Sequence, residues 1–272
     1  MRIVYASDLH SNKELYHKLY ELIYRENADE LILGGDLFEH SRFIDEQFLF
    51  LQDFLIPFFK STKIPISIIA GNTDISDVFE ELKKVLKLEK FKFLNSQPQY
   101  IGSNTPSFGC PFITPSPFKM KNFERRDLKS DNVIQSSSYI LNHGKQVSVS
   151  EHYLNDLPSI EEELDSFCLS NSIWVTHIPP SGGVLDVLHN GQSVGSNALR
   201  NKIVKEQPLL TLHGHIHESP RITGKWYEEI GNTVSVNAGQ DKDLHAVIID
   251  IESSKIRLKH TMFGEYLRIL KQ

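Results

Sequence analysis

The sequence predicts an α/β fold in which two mixed sheets pack face to face as a sandwich, with helices outside. Three observations predict it. Strand-like runs alternate with helical patterns through the early part of the chain. Short strand-like runs divided by turn residues fill its end. Five segments rich in metal-ligating residues each follow directly on a strand-like run: Asp8-Leu9-His10, Gly34-Gly35-Asp36, Gly71-Asn72-Thr73-Asp74, His177 and Gly214-His215-Ile216-His217. In open α/β sheets, sites form beyond the carboxyl ends of strands.

The strand-like runs are Ile3–Ser7, Glu30–Gly34, Ile66–Ala70, Ser172–Thr176 and Leu209–His213. Asn12 caps an expected helix to about Arg25, with Leu15, Leu19, Leu22 and Ile23 on one face. Ile44 to Lys60 is a second helical pattern. Asp77 to Leu88 is a third, with Phe79, Leu82, Val85 and Leu86 facing inward. Such alternation implies βαβ units and a largely parallel sheet. Trp226–Ile230, Thr233–Val236, Ala246–Ile251 and Lys255–Thr261 read as short strands, with hairpin turns at Gly231-Asn232 and Ser253-Ser254. They are expected to form a second, more antiparallel sheet behind the first. Residues 102–132, with four prolines at Pro106, Pro111, Pro115 and Pro117, read as a lid-like loop.

The 272 residues are expected to form a single domain, 1–272, with 40% apolar residues to build its core. The sequence has no run of apolar residues long enough to span a membrane. Arg2-Ile3-Val4-Tyr5-Ala6 reads as a strand and not a signal peptide. Cys110 and Cys168 lie far apart, without zinc-finger spacing. Both are read as reduced, and the protein as cytoplasmic. A net charge of −6 argues against broad affinity for nucleic acid or membrane. Lys119, Lys121, Arg125, Arg126 and Lys129 are a local exception, read either as a solvated face or as an arm that steers an anionic substrate.

The five segments carry hard oxygen and imidazole donors and no thiolate, which suits Mn, Fe, Co, Ni or Zn. Asp8 and His10 are two apart, as are His215 and His217. In extended chain such pairs point the same way and reach one ion. Asp36 has two oxygens with which to bridge two cations, and Asn72 offers a neutral amide oxygen. Two ions roughly 3.5–4 Å apart would clamp a phosphate and activate a water.

This set of segments, in this order, resembles the calcineurin-like metallophosphoesterases from residue 3 to about residue 250. Val236-Asn237-Ala238-Gly239 looks like that family's late strand-turn. Thr176-His177-Ile178-Pro179-Pro180 and Gly195-Ser196-Asn197-Ala198-Leu199-Arg200 are similar to a compact prokaryotic subgroup. The resemblance implies a metallophosphoesterase-type αββα sandwich. It implies that Asp8, His10 and His217 hold one metal, that Asn72, His177 and His215 hold a second, and that Asp36 bridges them. Manganese is the expected ion. The implied reaction is hydrolysis of a phosphodiester, phosphomonoester or pyrophosphate bond by a metal-bridging hydroxide, with Asp36, Asn72 and His177 at its centre. Many family members carry His where this chain has Thr73. That His protonates the leaving group, a role typically contributing ~10²–10⁴-fold, so either slow turnover of alkoxide leaving groups or selectivity for phosphate-like or aryl leaving groups is expected here. Asp74, which would orient that His, is left to support the loop.

His189, Ser196, Arg125 and Arg126 are the candidate substrate contacts. Ser196 or Ser193 would cap a helix whose free N–H groups suit a phosphate, or would be an ordinary N-cap. Phe112, Phe118 and Phe123 would stack on a base or aryl group, or pack the lid down. His213 reads as a hydrogen-bond partner behind His215 or as a plain strand residue. His17, His40, His143, His152, His245 and His260 lack partners at ligand spacing and read as structural or exposed. The expected partner is a small phosphorylated substrate, with oligomeric state open. A catalytically weak or inactive interaction module on the same fold is the alternative, and a nuclease is a third reading.

Overall fold

The structure is a computed structural model that describes residues 1–41, 43–86, 90–102 and 104–270. β1 (Arg2–Ala6), β2 (Glu30–Leu33), β3 (Ile66–Ile68) and β4 (Phe91–Phe93) run parallel in one sheet. β5 (Gln99–Ile101) and β6 (Thr105–Cys110) open the second. β7 (Ser138–Asn142) and β8 (Lys145–Val149) form a separate hairpin. β9 (Ile173–Thr176), β10 (Leu210–His213), β11 (Tyr227–Ile230) and β12 (Thr233–Asn237) complete the second sheet, in the order β11-β12-β10-β9-β6-β5. β13 (Val247–Glu252), β14 (Lys255–His260) and β15 (Gly264–Ile269) return to the first, which runs β15-β14-β13-β1-β2-β3-β4.

Alternation along β1 explains the layering. Ile3 and Tyr5 point between the sheets, against Val175, Leu212 and Val236. Val4 and Ala6 point the other way, into a cluster with Leu15, Leu19, Leu22 and Ile23 of α1 (Lys13–Arg25). A third cluster, with Phe108 and Trp174, covers the outer face of the second sheet. The αββα sandwich expected from the sequence is the observed architecture. Its late strands are divided differently: β11 and β12 join the second sheet, while β13 and β14 extend the first. The second sheet is parallel through β12, β10, β9 and β6, so it is not the more antiparallel one.

Asn12 caps α1 as expected, accepting from the Glu14 and Leu15 N–H groups. The second helical pattern is three pieces: α2 (Ile44–Phe50), a π-helical turn at Leu51–Leu55 and α3 (Ile56–Ser61). Pro57 explains the break, because it has no N–H to return to the preceding turn. α4 (Ser76–Val85) buries Phe79 and Leu82, but Val85 is exposed. The helix ends at its C-cap Leu86, which is buried as expected, and residues 87 and 88 of the expected helix lie outside the described residues. The segment 102–132 is not one loop, since β6 lies within it and packs on β9. The irregular lid therefore starts after Cys110.

Candidate metal centre

Four of the sequence-selected donors converge at the carboxyl ends of β1, β2 and β10. Ligand atoms of Asp8, His10, Asp36 and His217 all lie within 4.8 Å of one another. His217 Nε2 is 3.0 Å from Asp8 Oδ1 and 3.2 Å from His10 Nε2. The His10 ring meets the Phe38 carbonyl through Nδ1, which leaves Nε2 facing the cluster. Two imidazole nitrogens and a carboxylate that face each other so closely need a proton or a cation between them.

A second group adjoins the first. His177 Nε2 is 3.1 Å from Asn72 Oδ1 and 3.4 Å from Asp36 Oδ1. Its Nδ1 donates to the Gly34 carbonyl at 2.8 Å, so Nε2 is the nitrogen that faces Asn72 and Asp36. The His215 ring lies 5.3 Å from that of His177, tilted by 54°. Asp36 stands between the groups, with Oδ2 3.8 Å from His10 and Oδ1 toward His177.

Strand alternation, expected from the two-residue spacings, is not what aims these donors. Asp8, His10 and Asp36 are not extended but left-handed, with φ of 60°, 43° and 51°, and His215 has φ of 64°. Such conformations cost of order 1–3 kcal/mol each for a side-chain-bearing residue and cluster at functional sites. The turns, held by His10 N–H to the Asp36 carbonyl and Asp8 N–H to the Gly35 carbonyl, aim the donors. His215 and His217 do not share a face: His217 joins Asp8, and His215 joins His177.

The electrostatics suit a cation. Burial alone would raise Asp8, but His217 and His177 overcome this and hold it at about 2. Burial would likewise raise Asp36, yet His177 and His10 keep it far below the ordinary carboxylate range. Burial opposes charge on His177, but Asp36 and Asp8 raise it to about 9. A field that retains a proton there also retains a metal ion. Burial and the neighbouring His177 lower His215 to about 3, leaving a neutral donor. Asp74 is raised to about 8 by burial and by Asp36. It ties the loops together, accepting from the Phe38 and Gly71 N–H groups at 2.9 and 2.8 Å.

The remaining candidates are placed elsewhere. Ser196 is buried and caps α5 (Asn197–Glu206), but the Asp127 carboxylate already accepts from Ser196 Oγ and, at 2.7 Å, from the Asn197 N–H. That helix end is not open to a phosphate. Arg126 donates to the Leu154, Asn155 and Leu157 carbonyls, and Arg125 to those of Asn122 and Glu124. Lys121 is buried against Glu124 at 2.8 Å. The charges of these three residues are taken up within the segment, whereas Lys119 and Lys129 are exposed and form the solvated part of it. His189 is exposed, 3.9 Å from Glu218, and does not line the cavity at the donors. His213 is fully buried between the Thr176 and Thr211 hydroxyls. Phe112 and Phe123 pack beside each other in the lid, with Arg125 over Phe112.

A cavity of about 320 Å³ opens over the donors, and Glu39, His40, Thr73 and Phe118 complete its wall. No motif marks Glu39 or His40 in the sequence as part of the site. Their one signal is position, in the loop that follows Asp36.

Fold and donor cluster together define a two-sheet α/β protein with a candidate metal centre at its strand ends. The chain belongs to the calcineurin-like phosphoesterases: the model of that family matches residues 1–219. No curated protein matches the sequence. Among solved structures, a dimetal phosphatase from Danio rerio is 10% identical, covering 99% of this chain and 98% of its own, with a TM-score of 0.63. The protein TT1561 of Thermus thermophilus is 16% identical over 98% of each chain, with a TM-score of 0.56. GAP50 of Plasmodium, described as the anchor in the inner membrane complex, is 11% identical over 99% of this chain and 88% of its own, with a TM-score of 0.57. At these identities the likeness is one of fold.

Proposed function

We propose that the chain is a phosphohydrolase working with two divalent ions, manganese first among them, on a small phosphorylated substrate. The observation that carries this reading is the division of the Asp36 carboxylate between His10 and His177. Asp8, His10 and His217 would hold one ion, and Asn72, His177 and His215 the other, with Asp36 shared. Bound ions supply an acidified water and neutralise phosphate charge. The chain's own residues fix the donors: the Gly34 carbonyl orients His177, the Phe38 carbonyl orients His10, and Asp74 locks the Asn72 loop to the Asp36 loop. The fold-level likeness to a dimetal phosphatase agrees with this reading.

One observation favours an inactive interaction module instead. Thr73 stands where the family acid is expected, and its hydroxyl donates to the Phe38 carbonyl at 2.7 Å. A protein described as an anchor has a similar fold, and a fold does not by itself dictate function. The inward turn of Lys121, Arg125 and Arg126 weighs against the nuclease reading, although Lys119 and Lys129 of the same segment are exposed. Among the described residues, no helix is long and apolar enough to cross a membrane, and both cysteines are free. The cysteines fit the reducing cytoplasm we propose.

The test is a panel of bis-aryl diester, aryl monoester, cyclic nucleotides and nucleoside diphosphate derivatives, assayed with Mn²⁺ and after chelation. Hydrolysis that requires the added metal supports the enzyme. Stoichiometric metal without turnover of any member favours the module.

A further inference from the structure

We propose that His40 is the proton donor to the leaving-group oxygen, a role that rests on the phosphohydrolase reading above. The position that should donate cannot. Thr73 is nearly buried, its hydroxyl hydrogen is committed to the Phe38 carbonyl, and an alcohol is no acid at neutral pH. Asp74 is fully buried, bound to the Phe38 and Gly71 N–H groups, and does not reach the cavity. His189 stands off the wall, beside Glu218.

The cavity wall offers few alternatives. Its titratable groups, beyond the proposed ligands His10, Asp36, His215 and His217, are Glu39 and His40. A carboxylate repels an anionic ester, whereas an imidazole can donate a proton through a ring nitrogen. The His40 side chain is exposed and makes no hydrogen bond among the described residues. Its ring lies 6.2 Å from that of Phe118, tilted by 33°. Phe118 is 51% exposed on the lid, so the two rings form a wall for an organic group next to the metal donors.

The step balances without a further reactant. Water oxygen bonds to phosphorus and gives up one proton to solvent, and the bond from phosphorus to the leaving oxygen breaks with its electron pair. That oxygen takes the proton of the His40 imidazolium and departs as a neutral alcohol. The exposed imidazole regains a proton from solvent. Nothing is oxidised or reduced. The chain then turns over alkoxide leaving groups despite Thr73, which reverses the expectation from the motif alone.

The test is a leaving-group series of aryl and alkyl phosphodiesters on the Mn²⁺-loaded full chain, comparing wild type with His40→Asn and His40→Gln. An acid's contribution is about 10²–10⁴-fold and falls on poor leaving groups. Both variants are therefore expected to lose at least about 10-fold more rate on alkyl than on aryl esters. They are also expected to lose the solvent deuterium isotope effect on the alkyl reaction, with metal content and melting temperature at wild-type values. Equal losses across the series, or no loss, overturn the role of His40 while leaving the phosphohydrolase reading intact. A metal-loaded wild type that cleaves no ester overturns both.

Discussion

Gly71 lies against Asp36 so closely that a Cβ on Gly71 would overlap both the carboxylate Oδ1 and the backbone nitrogen of Asp36. This glycine is required by close approach, not by its backbone angle. The Thr73 N–H donates to the same Oδ1 at 2.8 Å, so the loop after β3 cradles the proposed bridging carboxylate. Gly71→Ala is expected to push the two loops apart. Overpacking of this kind typically costs about 1–3 kcal/mol. The check is a chemical denaturation curve together with a Mn²⁺ titration. Stability and metal affinity fall together, whereas a change at a surface glycine leaves metal affinity alone.

Lys121 and Glu124 make a buried ion pair, with side chains 3% and 1% exposed. Burial raises Glu124, while the Lys121 ammonium draws it back. Lys121→Ala strands the carboxylate, and removing one partner of a buried pair costs about 3–5 kcal/mol. The prediction is a strongly lowered denaturation midpoint for Lys121→Ala. A charge that merely steered substrate would instead alter KM and its salt dependence at constant stability.

His260 predicts an acid-side loss of stability. Burial, the main cause, lowers its pKa to about 4. Its Nε2–H donates to the Ala238 carbonyl at 2.8 Å, and Nδ1 accepts from the Met262 N–H at 3.0 Å, so the ring is held neutral. A depressed folded-state pKa stabilises fully above the unfolded value, near 6.5, and this contribution is lost as pH falls through about 4. Urea unfolding of metal-free protein from pH 7 to pH 4 is expected to show wild type more stable than His260→Gln at neutral pH. That gap should close on acidification. A gap that widens would give the shift the opposite sign.

Thr73→His tests the division of labour at the cavity. With His40 as donor, the added imidazole brings no gain on alkyl esters and costs the Thr73 bond to the Phe38 carbonyl. Parallel leaving-group dependences in wild type and variant are expected. A selective rise on alkyl esters would place the acid at position 73.

Much of this molecule was legible in its sequence, for physical reasons. Ile3 to Ala6, Leu31 to Leu33 and Ile173 to Val175 are buried runs that only a covered sheet accommodates, and Asn12 marked the start of α1 by its capping chemistry. The donors were legible because Asp and His at strand ends have few other uses in combination. Their aiming was not: left-handed turns at Asp8, His10, Asp36 and His215 are set by contacts between loops distant in sequence. The pairing of β13 with β1 escaped for the same reason, since the register spans most of the chain. β6 was hidden by Pro106 and Gly109, residues disfavoured in strands. The basic segment was legible only in part, because charge composition does not reveal that Glu124, Glu162 and backbone carbonyls absorb Lys121, Arg125 and Arg126 while Lys119 and Lys129 stay exposed.

The most direct measurement of the central claim is metal stoichiometry and diester hydrolysis of Asp36→Asn beside wild type, after equal loading with Mn²⁺. Asp36 faces both donor groups, and an amide in its place removes the anionic charge and cannot bridge. The expected result is two bound ions per wild-type chain, weakened binding of both in the variant, and hydrolysis abolished. Full occupancy with near-normal turnover in Asp36→Asn would contradict it.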